Sequence, residues 1–346
     1  MEFSNLFYVL AAVLFILGLK KLSHPKTART GNTIAAIGML IAIVTTLIAY
    51  GGIDYKLIAL GVIIGSLIGG IFATKVEMTG MPQMVALFNG FGGGASALVA
   101  AAEFYTRAAP EVLSGNTEHF LLTTIAVSVF VGTLTITGSF IAFAKLQGLI
   151  SGQPIVFKGQ QVLNALFALA LMTAGSGMVL SAENMMLYFL GVVVLAAILG
   201  ITLTIPIGGA DMPVVISLLN SYSGVAAAAT GFVLMNNGLI ISGSLVGASG
   251  LILTNIMCKG MNRSLANVIF GAVGLQTEGA VSSGKEMNIK SYSTEEAAMI
   301  LDAADKVIVV PGYGLAVAQA QHAIREVADY LEGLGKSVLY AIHPVA

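Results

Sequence analysis

Charged residues are scarce in this sequence. Lysine, arginine, aspartate and glutamate make up 10% of the 346 residues, whereas hydrophobic residues make up 57%. Soluble globular chains carry about 25% charged residues, so the composition excludes an ordinary soluble protein and indicates a membrane protein. The formal net charge is −1 and no run of basic residues occurs, so nothing suggests binding to nucleic acid.

Cysteine and histidine are also rare. The only cysteine is Cys258, which excludes an internal disulfide and a metal site with several cysteine ligands. Cys258 stands beside Lys259 at the end of an apolar run, where we interpret it as a small apolar side chain that fills space. The four histidines lie far apart without metal-ligand spacing, so no metal site is predicted.

Long apolar runs, in contrast, recur along most of the chain. Nine of them reach the length that crosses a bilayer. They lie at about residues 4–19, 33–50, 57–74, 83–102, 120–144, 161–180, 185–205, 213–235 and 239–258. In the first run the charges Lys20 and Lys21 follow the apolar residues, so we interpret it as a span and not as a signal peptide. The sequence predicts a polytopic α-helical membrane protein, with residues 1–260 as the transmembrane domain.

The distribution of lysine and arginine between the loops predicts the orientation. Alternate loops on one side hold nine of these residues, and the loops on the other side hold two. The nine are Lys20, Lys21, Lys26, Arg29, Lys75, Lys145, Lys158, Lys259 and Arg263, and the two are Lys56 and Arg107. Because cytoplasmic loops carry the excess, we expect the N-terminus outside and the C-terminal tail in the cytoplasm. An odd number of spans requires the same arrangement.

One span combines polar and small residues and has a relative upstream. Aligning Met81-Pro82 with Met212-Pro213 gives a constant offset of 131 residues and places Asn89 on Asn220. Each asparagine follows its proline by seven residues, which is about 10 Å along a helix. Both helices enter from the same side of the predicted topology, so they form a parallel pair. The two asparagines either line a transport path or merely bond to packed neighbours.

The composition changes after residue 260. Residues 261–291 carry Gly, Ser, Asn and Glu without sustained periodicity and are predicted to be a linker. A capping box from Ser293 to Glu296 opens a short helix. Strands are predicted at 306–310 and 337–342, with a helix between them. Residues 292–346 therefore predict a βαβ unit, the beginning of a Rossmann-like domain.

A glycine-rich turn lies between the first strand and the following helix of this unit. The pattern Gly312-x-Gly314-x-x-Val317 lets the backbone approach a pyrophosphate at a helix N-terminus. A tight turn without phosphate is the alternative. The acidic residue that binds the ribose in NAD sites is missing after the second strand, where His343 stands, and this favours NADP. One βαβ unit is smaller than a dinucleotide domain, so we expect either a fragment or a sheet completed by another chain.

Four segments carry a family resemblance. They are GGADMP at 208–213, LNSYSG at 219–224, IMCKGMNRS at 256–264 and PGYGLAVAQAQ at 311–321. Together they resemble the β subunit of the proton-translocating NAD(P) transhydrogenase, from about residue 3 to residue 346. The resemblance implies nine spans and then a cytoplasmic NADP(H)-binding domain, here truncated. It also implies an α-type partner subunit that binds NAD(H), a dimer of αβ units, and a bacterial-type cytoplasmic (inner) membrane.

The resemblance also assigns residues. The nucleotide turn is matched by Gly312, Tyr313, Gly314, Ala316 and Val317, and His343 with Pro344 begins the next nucleotide-contacting loop. The proton path is expected along Asn89, Asn220 and Tyr222, and coupling to the nucleotide domain at Asp211, Lys259 and Arg263. Many relatives have histidine where this chain has Asn89, and an amide does not titrate. We therefore expect the proton carrier to come from the partner subunit.

The leading hypothesis is an enzyme subunit that positions two nicotinamide cofactors and couples hydride transfer from NADH to NADP⁺ to inward proton movement. On its own, this chain is expected to be inactive. One alternative is a secondary transporter with a nucleotide-sensing tail, for which two parallel polar helices are also suitable. Another is an inactive truncated fragment. Co-purification of an NAD-binding partner distinguishes the enzyme subunit from the transporter.

Overall fold

The computed structural model describes residues 2–49, 55–76, 80–108, 119–181, 183–261, 264–270, 292–312, 315 and 320–342. The chain forms two compact units, which are described separately. The first comprises residues 1–256 and 264–273, and the second comprises residues 257–263 and 274–346.

Among the described residues, nine helices are long and apolar enough to cross a membrane. They are α1 (Glu2–Leu22), α2 (Ala28–Ala49), α3 (Tyr55–Lys75), α4 (Met81–Glu103), α5 (His119–Leu146), α6 (Gln160–Leu180), α7 (Met185–Thr204), α8 (Met212–Val233) and α9 (Asn237–Gly260). Each predicted run lies inside one helix or within two residues of it. The prediction of nine spans is confirmed.

Proline begins the two helices that carry the predicted repeat. Pro82 and Pro213 are the second residues of α4 and α8, where the missing N–H removes no helical hydrogen bond. A 3-10 turn, Gly209–Asp211, leads directly into α8. The sequence thereby determines where both helices start.

Helix α5 lies at the centre of the first unit and packs against α4, α7 and α8. Glycines bring the backbones of α4 and α5 together. A Cβ at Gly93 would lie 2.7 Å from the Cβ of Thr135, and a Cβ at Gly132 would meet the Gly93 carbonyl. Small residues permit such close approach of helices in a membrane. At one end of the same core, Phe104 stacks on Phe189 with ring centroids 4.2 Å apart.

Helix α3 lies at the periphery of the first unit. None of its residues is buried. A Cβ at Gly61, Gly65 or Gly69 would meet no described atom within 4 Å. Its Phe72 meets Phe88 of α4 edge to face, with centroids 6.4 Å apart. The described residues of the chain therefore cover little of α3.

A short helix, α10 (Leu265–Phe270), lies in the stretch predicted as a linker. Its Val268 is buried and lines a cavity of about 50 Å³ together with Ile207 and Leu218. Six residues are too few to establish a helical period, so the sequence pattern does not reveal this element. Residues 262–263 and 271–291 of the predicted linker lie outside the described residues.

The tail of the second unit contains α11 (Thr294–Ala303), β1 (Lys306–Val309), α12 (Gln321–Gly333) and β2 (Ser337–Tyr340). The two strands pair in parallel, with Lys306 opposite Ser337 and Val309 opposite Tyr340. The predicted capping box is present at the start of α11. The βαβ prediction is confirmed. Two strands are all that the described residues contribute to a sheet, so the Rossmann-like domain stays a prediction.

Candidate functional site

Helices α4 and α8 pack side by side in the same direction. The Ser223 hydroxyl donates to the carbonyl oxygen of Asn89 at 3.2 Å, and the Thr230 hydroxyl donates to the carbonyl oxygen of Ser96 at 3.4 Å. Both pairs are separated by 134 residues, so the contact advances equally along the two helices. The predicted parallel pair is confirmed. The sequence repeat has an offset of 131 residues, three fewer than this contact offset of 134. Ser223 therefore stands level with Asn89, and Asn220 lies about 4.5 Å away from that level along the helix axis.

The side chain of Asn89 joins three helices. Its amide nitrogen donates to the Ser139 hydroxyl of α5 at 3.0 Å. Its amide oxygen accepts from the Ser223 hydroxyl of α8 at 2.8 Å. Ser139 is fully buried, whereas Asn89 and Ser223 are half-buried. An amide that donates on one side and accepts on the other links the three helices through one hydrogen-bonded chain.

A second hydrogen-bonded group lies farther along the same helices. The hydroxyls of Ser128 on α5 and Thr230 on α8 are 2.7 Å apart, and Ser128 also donates to the Ser96 carbonyl at 3.3 Å. Seven residues separate Asn89 from Ser96, which is about 10 Å along α4. We call the two groups together the polar seam; it consists of Asn89, Ser139, Ser223, Ser96, Ser128 and Thr230.

The contribution of α5 to the polar seam was not predicted from the sequence. Ser128, Thr135 and Ser139 are all fully buried on α5. Their spacings of seven and four residues place them on one helical face. A search of the sequence for hydroxyl residues at helical spacing would have found them. Hydroxyls donate and accept but do not titrate at physiological pH. The seam therefore contains hydrogen-bonding groups and no side chain that changes charge.

The other two predicted path residues lie apart from this hydrogen-bonded chain. The Asn220 side chain is half-buried and makes no hydrogen bond to another described residue. Tyr222 lines a cavity of about 760 Å³ between α5, α6 and α7, together with Gln161 and Asn164. The side-chain oxygen of Asn164 is buried there without a partner among the described residues. The structure thus brings Asn89 into the seam but places Tyr222 on another side of α8.

Two of the three predicted coupling residues, Asp211 and Lys259, lie near helix ends. Asp211 is half-buried at the N-cap of α8. Lys259 is exposed in the last turn of α9. Asp211 belongs to the first unit and Lys259 to the second. Arg263 lies outside the described residues.

The carboxyl end of β1 forms the candidate nucleotide site. Because β1 and β2 are parallel, their carboxyl ends meet at one edge. Gly312, which follows that edge, is exposed, and a Cβ there would meet no described atom within 4 Å. No described residue blocks this edge, and in dinucleotide folds the ligand lies beyond the carboxyl ends of the strands. The predicted residues Tyr313, Gly314, Ala316, Val317, His343 and Pro344 lie outside the described residues.

The apolar spans of the described chain enclose a polar seam and define an integral membrane protein. Residues 4–346 match the family described as NAD(P) transhydrogenase beta subunit, and the chain belongs to this family. It is 49% identical over 342 residues to the NAD(P) transhydrogenase subunit beta of Rhodospirillum rubrum, a match that covers 98% of this chain and 73% of that relative. A second Rhodospirillum rubrum sequence of the same name gives the same values.

Family membership confirms the leading hypothesis. The chain is a subunit of the proton-translocating NAD(P) transhydrogenase, which is an oxidoreductase. The family implies binding of NADP(H), and the designation beta implies an alpha-type partner subunit.

Proposed function

We propose that this chain holds NADP(H), that its α-type partner holds NAD(H), and that the polar seam is part of the route along which protons cross the membrane. The seam lies among spans of the first unit, in a bilayer that we take to be a bacterial-type cytoplasmic membrane. The N-terminus then lies outside and the tail in the cytoplasm, where both cofactors are available. Two αβ units form the complete enzyme.

The bridge from Ser139 through Asn89 to Ser223 is the observation that carries this proposal. It connects three helices by groups that both donate and accept hydrogen bonds, which is what a water-assisted proton route requires. Histidine, aspartate and glutamate occur in the described spans only at helix ends. The group that takes up the proton is therefore assigned to the partner subunit, as a histidine, whose pKa suits this task.

The tail from residue 292 is proposed to begin a Rossmann-like NADP(H)-binding domain. Gly312, Tyr313, Gly314, Ala316 and Val317 would hold the pyrophosphate, and His343 with Pro344 would approach the nucleotide from the next loop. Bound NADP⁺ supplies the hydride acceptor. The protein's own contribution is to orient the two nicotinamides and to exclude water.

Asp211, Lys259 and Arg263 are proposed to transmit the state of this domain to the membrane spans. Asp211 stands immediately before α8, the helix that provides Ser223 to the seam. A displacement at this N-cap would therefore act on a helix that contributes directly to the proton route.

The test uses the assembled enzyme in closed vesicles. Hydride transfer from NADH to an NADP⁺ analogue is followed together with internal pH, for Ser139→Ala and for Ser96→Ala. Ser139→Ala removes the acceptor of the Asn89 amide, and we expect loss of coupled turnover. Ser96 contributes only its backbone carbonyl to the seam, and its own hydroxyl bonds to Gly92 of the same helix, so Ser96→Ala is the matched control. Equal proton movement in both variants would contradict the proposed route.

A further inference from the structure

Lys145 is a buried cation that the proposed function does not use. By its position in the sequence it counts among the loop cations that set the orientation, yet the structure places it in the last turn of α5 with 4% of its surface exposed. Its ammonium donates to three carbonyl oxygens, those of Ile205 at 2.6 Å, Ile207 at 2.8 Å and Gln153 at 3.0 Å. It is therefore an internal contact and not a flanking surface charge.

The three acceptors match the donors of a charged lysine side chain. An ammonium has three N–H donors, and each of them has one carbonyl acceptor here. None of the described residues offers Lys145 a carboxylate. Ile205 is the C-cap of α7, so the cation also lies where the helix dipole is negative. Replacement by an apolar side chain would take this donor away from three carbonyl oxygens at a buried position, which is costly.

The three carbonyls belong to two loops. Gln153 lies between α5 and α6, and Ile205 and Ile207 lie between α7 and α8. Two backbone hydrogen bonds join the same loops, from Gly209 N–H to the Gly152 carbonyl at 2.8 Å and from Ile155 N–H to the Ile205 carbonyl at 3.3 Å. We call residues 147–159 and 205–211 the stapled loops. The second of these loops ends at Asp211, the N-cap of α8.

We propose that Lys145 is a positioning residue of the coupling machinery. By holding the stapled loops together it fixes the start of α8, and with it Asp211 and the level at which Ser223 meets Asn89. This inference rests on the proposed roles of Asp211 and the polar seam. It adds a residue on α5 that acts through backbone carbonyls.

The first test compares Lys145→Met with Lys145→Arg in the assembled enzyme. Lys145→Met removes all three donors, and we expect coupled turnover to fall about tenfold, the size of an ordinary coupling between two sites. Hydrogen exchange at the amides of Gly209 and Asp211 should rise. Lys145→Arg keeps charge and donors and should retain most of the turnover. Wild-type turnover together with unchanged exchange in Lys145→Met would overturn the proposal.

A second variant replaces the contact of Lys145 by a covalent bond. A Cβ at Gly209 would lie 3.9 Å from the Cα of Gly152, and a Cβ at Gly152 would meet no described atom within 4 Å, so cysteines at these positions lie close enough to be tested for a disulfide. With Cys258→Ala removing the native thiol, Gly152→Cys and Gly209→Cys are added to Lys145→Met. Oxidation should restore turnover, and reduction should abolish the rescue. A bridge that forms without restoring turnover would overturn the positioning role.

Lys145→Gln takes the place of Lys145→Met if the methionine variant does not assemble, because glutamine keeps part of the donors. The same rescue on oxidation is expected, and its failure would equally overturn the positioning role. If the wild-type enzyme transfers hydride without moving protons, the proposed function fails. In that case, a rise in hydrogen exchange at the Gly209 and Asp211 amides of Lys145→Met would still show that Lys145 holds the stapled loops, and unchanged exchange would show that it does not.

Discussion

The hydroxyl of Ser223 donates to the side-chain oxygen of Asn89 at 2.8 Å, and this bond joins two parallel helices that each begin with a methionine and a proline. The amide nitrogen of Asn89 is at the same time bonded to Ser139. Asn89 therefore has one side-chain partner on α5 and one on α8.

Asn89→Leu should block proton-coupled turnover. An apolar side chain of similar size leaves Ser139 and Ser223 without their shared partner and excludes water from the proton route. We expect a loss of at least about tenfold, as for removal of a group needed in every turnover. Asn89→His should be tolerated, because imidazole also donates and accepts. Asn237→Leu is the control, since Asn237 is exposed and bonds to Asn5 near the chain start. Normal pumping by Asn89→Leu would reduce the seam to a packing contact.

Gly93 and its neighbour Gly92 should respond differently to the same substitution. A Cβ at Gly93 would lie 2.7 Å from the Cβ of Thr135, whereas a Cβ at Gly92 would meet no atom of the described residues within 4 Å. We expect Gly93→Ala to destabilise the first unit by about 1–3 kcal/mol, as overpacking does, and Gly92→Ala to leave its stability unchanged. Thermal unfolding of the purified enzyme measures both. Equal melting temperatures would show that α4 and α5 are not in close contact.

Gly312→Ala should weaken NADP(H) binding without affecting the fold. The new methyl group meets no described protein atom, so the melting temperature without cofactor should stay unchanged. It would, however, occupy the open edge after β1 where a pyrophosphate approaches the backbone, and we expect affinity to fall about tenfold or more. Calorimetry with NADPH measures the loss. Gly333→Ala is the control, because that position also has open space but lies at the end of α12. Identical affinities would place the nucleotide elsewhere.

Asp211→Asn should slow coupled transhydrogenation while changing, and not abolishing, the affinity for NADP⁺. The carboxylate stands at the N-cap of α8, where a negative charge interacts with the helix dipole, so its removal alters the start of that helix. We expect an effect of about tenfold on turnover. Glu183→Gln, an exposed carboxylate in the loop between α6 and α7, provides the comparison. Unchanged turnover and affinity in Asp211→Asn would count against a coupling role.

The spans were predictable from the sequence because apolar length is a local property, and the parallel course of α4 and α8 followed from counting spans. The register between them was not predictable. The internal repeat gives an offset of 131 residues, but contacts such as Ser223 with Asn89 are 134 residues apart. Register depends on which side chains meet across the interface, and the repeat carries no information about Ser139 on α5.

The burial of Lys145 was not predictable for a similar reason. In the sequence it resembles Lys75 or Lys158, a cation at the end of an apolar run. Lys145 is buried because the loop between α7 and α8 brings the carbonyls of Ile205 and Ile207 to the end of α5. Tyr222 shows the same limit, since its neighbours in sequence do not reveal that it lines the cavity beside Asn164.

The contrast between α3 and α8 has a consequence for how the protein is made. Of the nine spans among the described residues, α8 has the lowest mean hydropathy and the largest buried share, whereas α3 is strongly apolar and buries nothing. A span such as α3 can leave the translocon and enter lipid unaided, because its transfer from water is favourable by itself. The serines and the asparagine of α8 make that step costly, and α4 and α5 already offer partners for two of its hydroxyls. Biogenesis should therefore pause at α8 until the earlier helices have assembled to receive it.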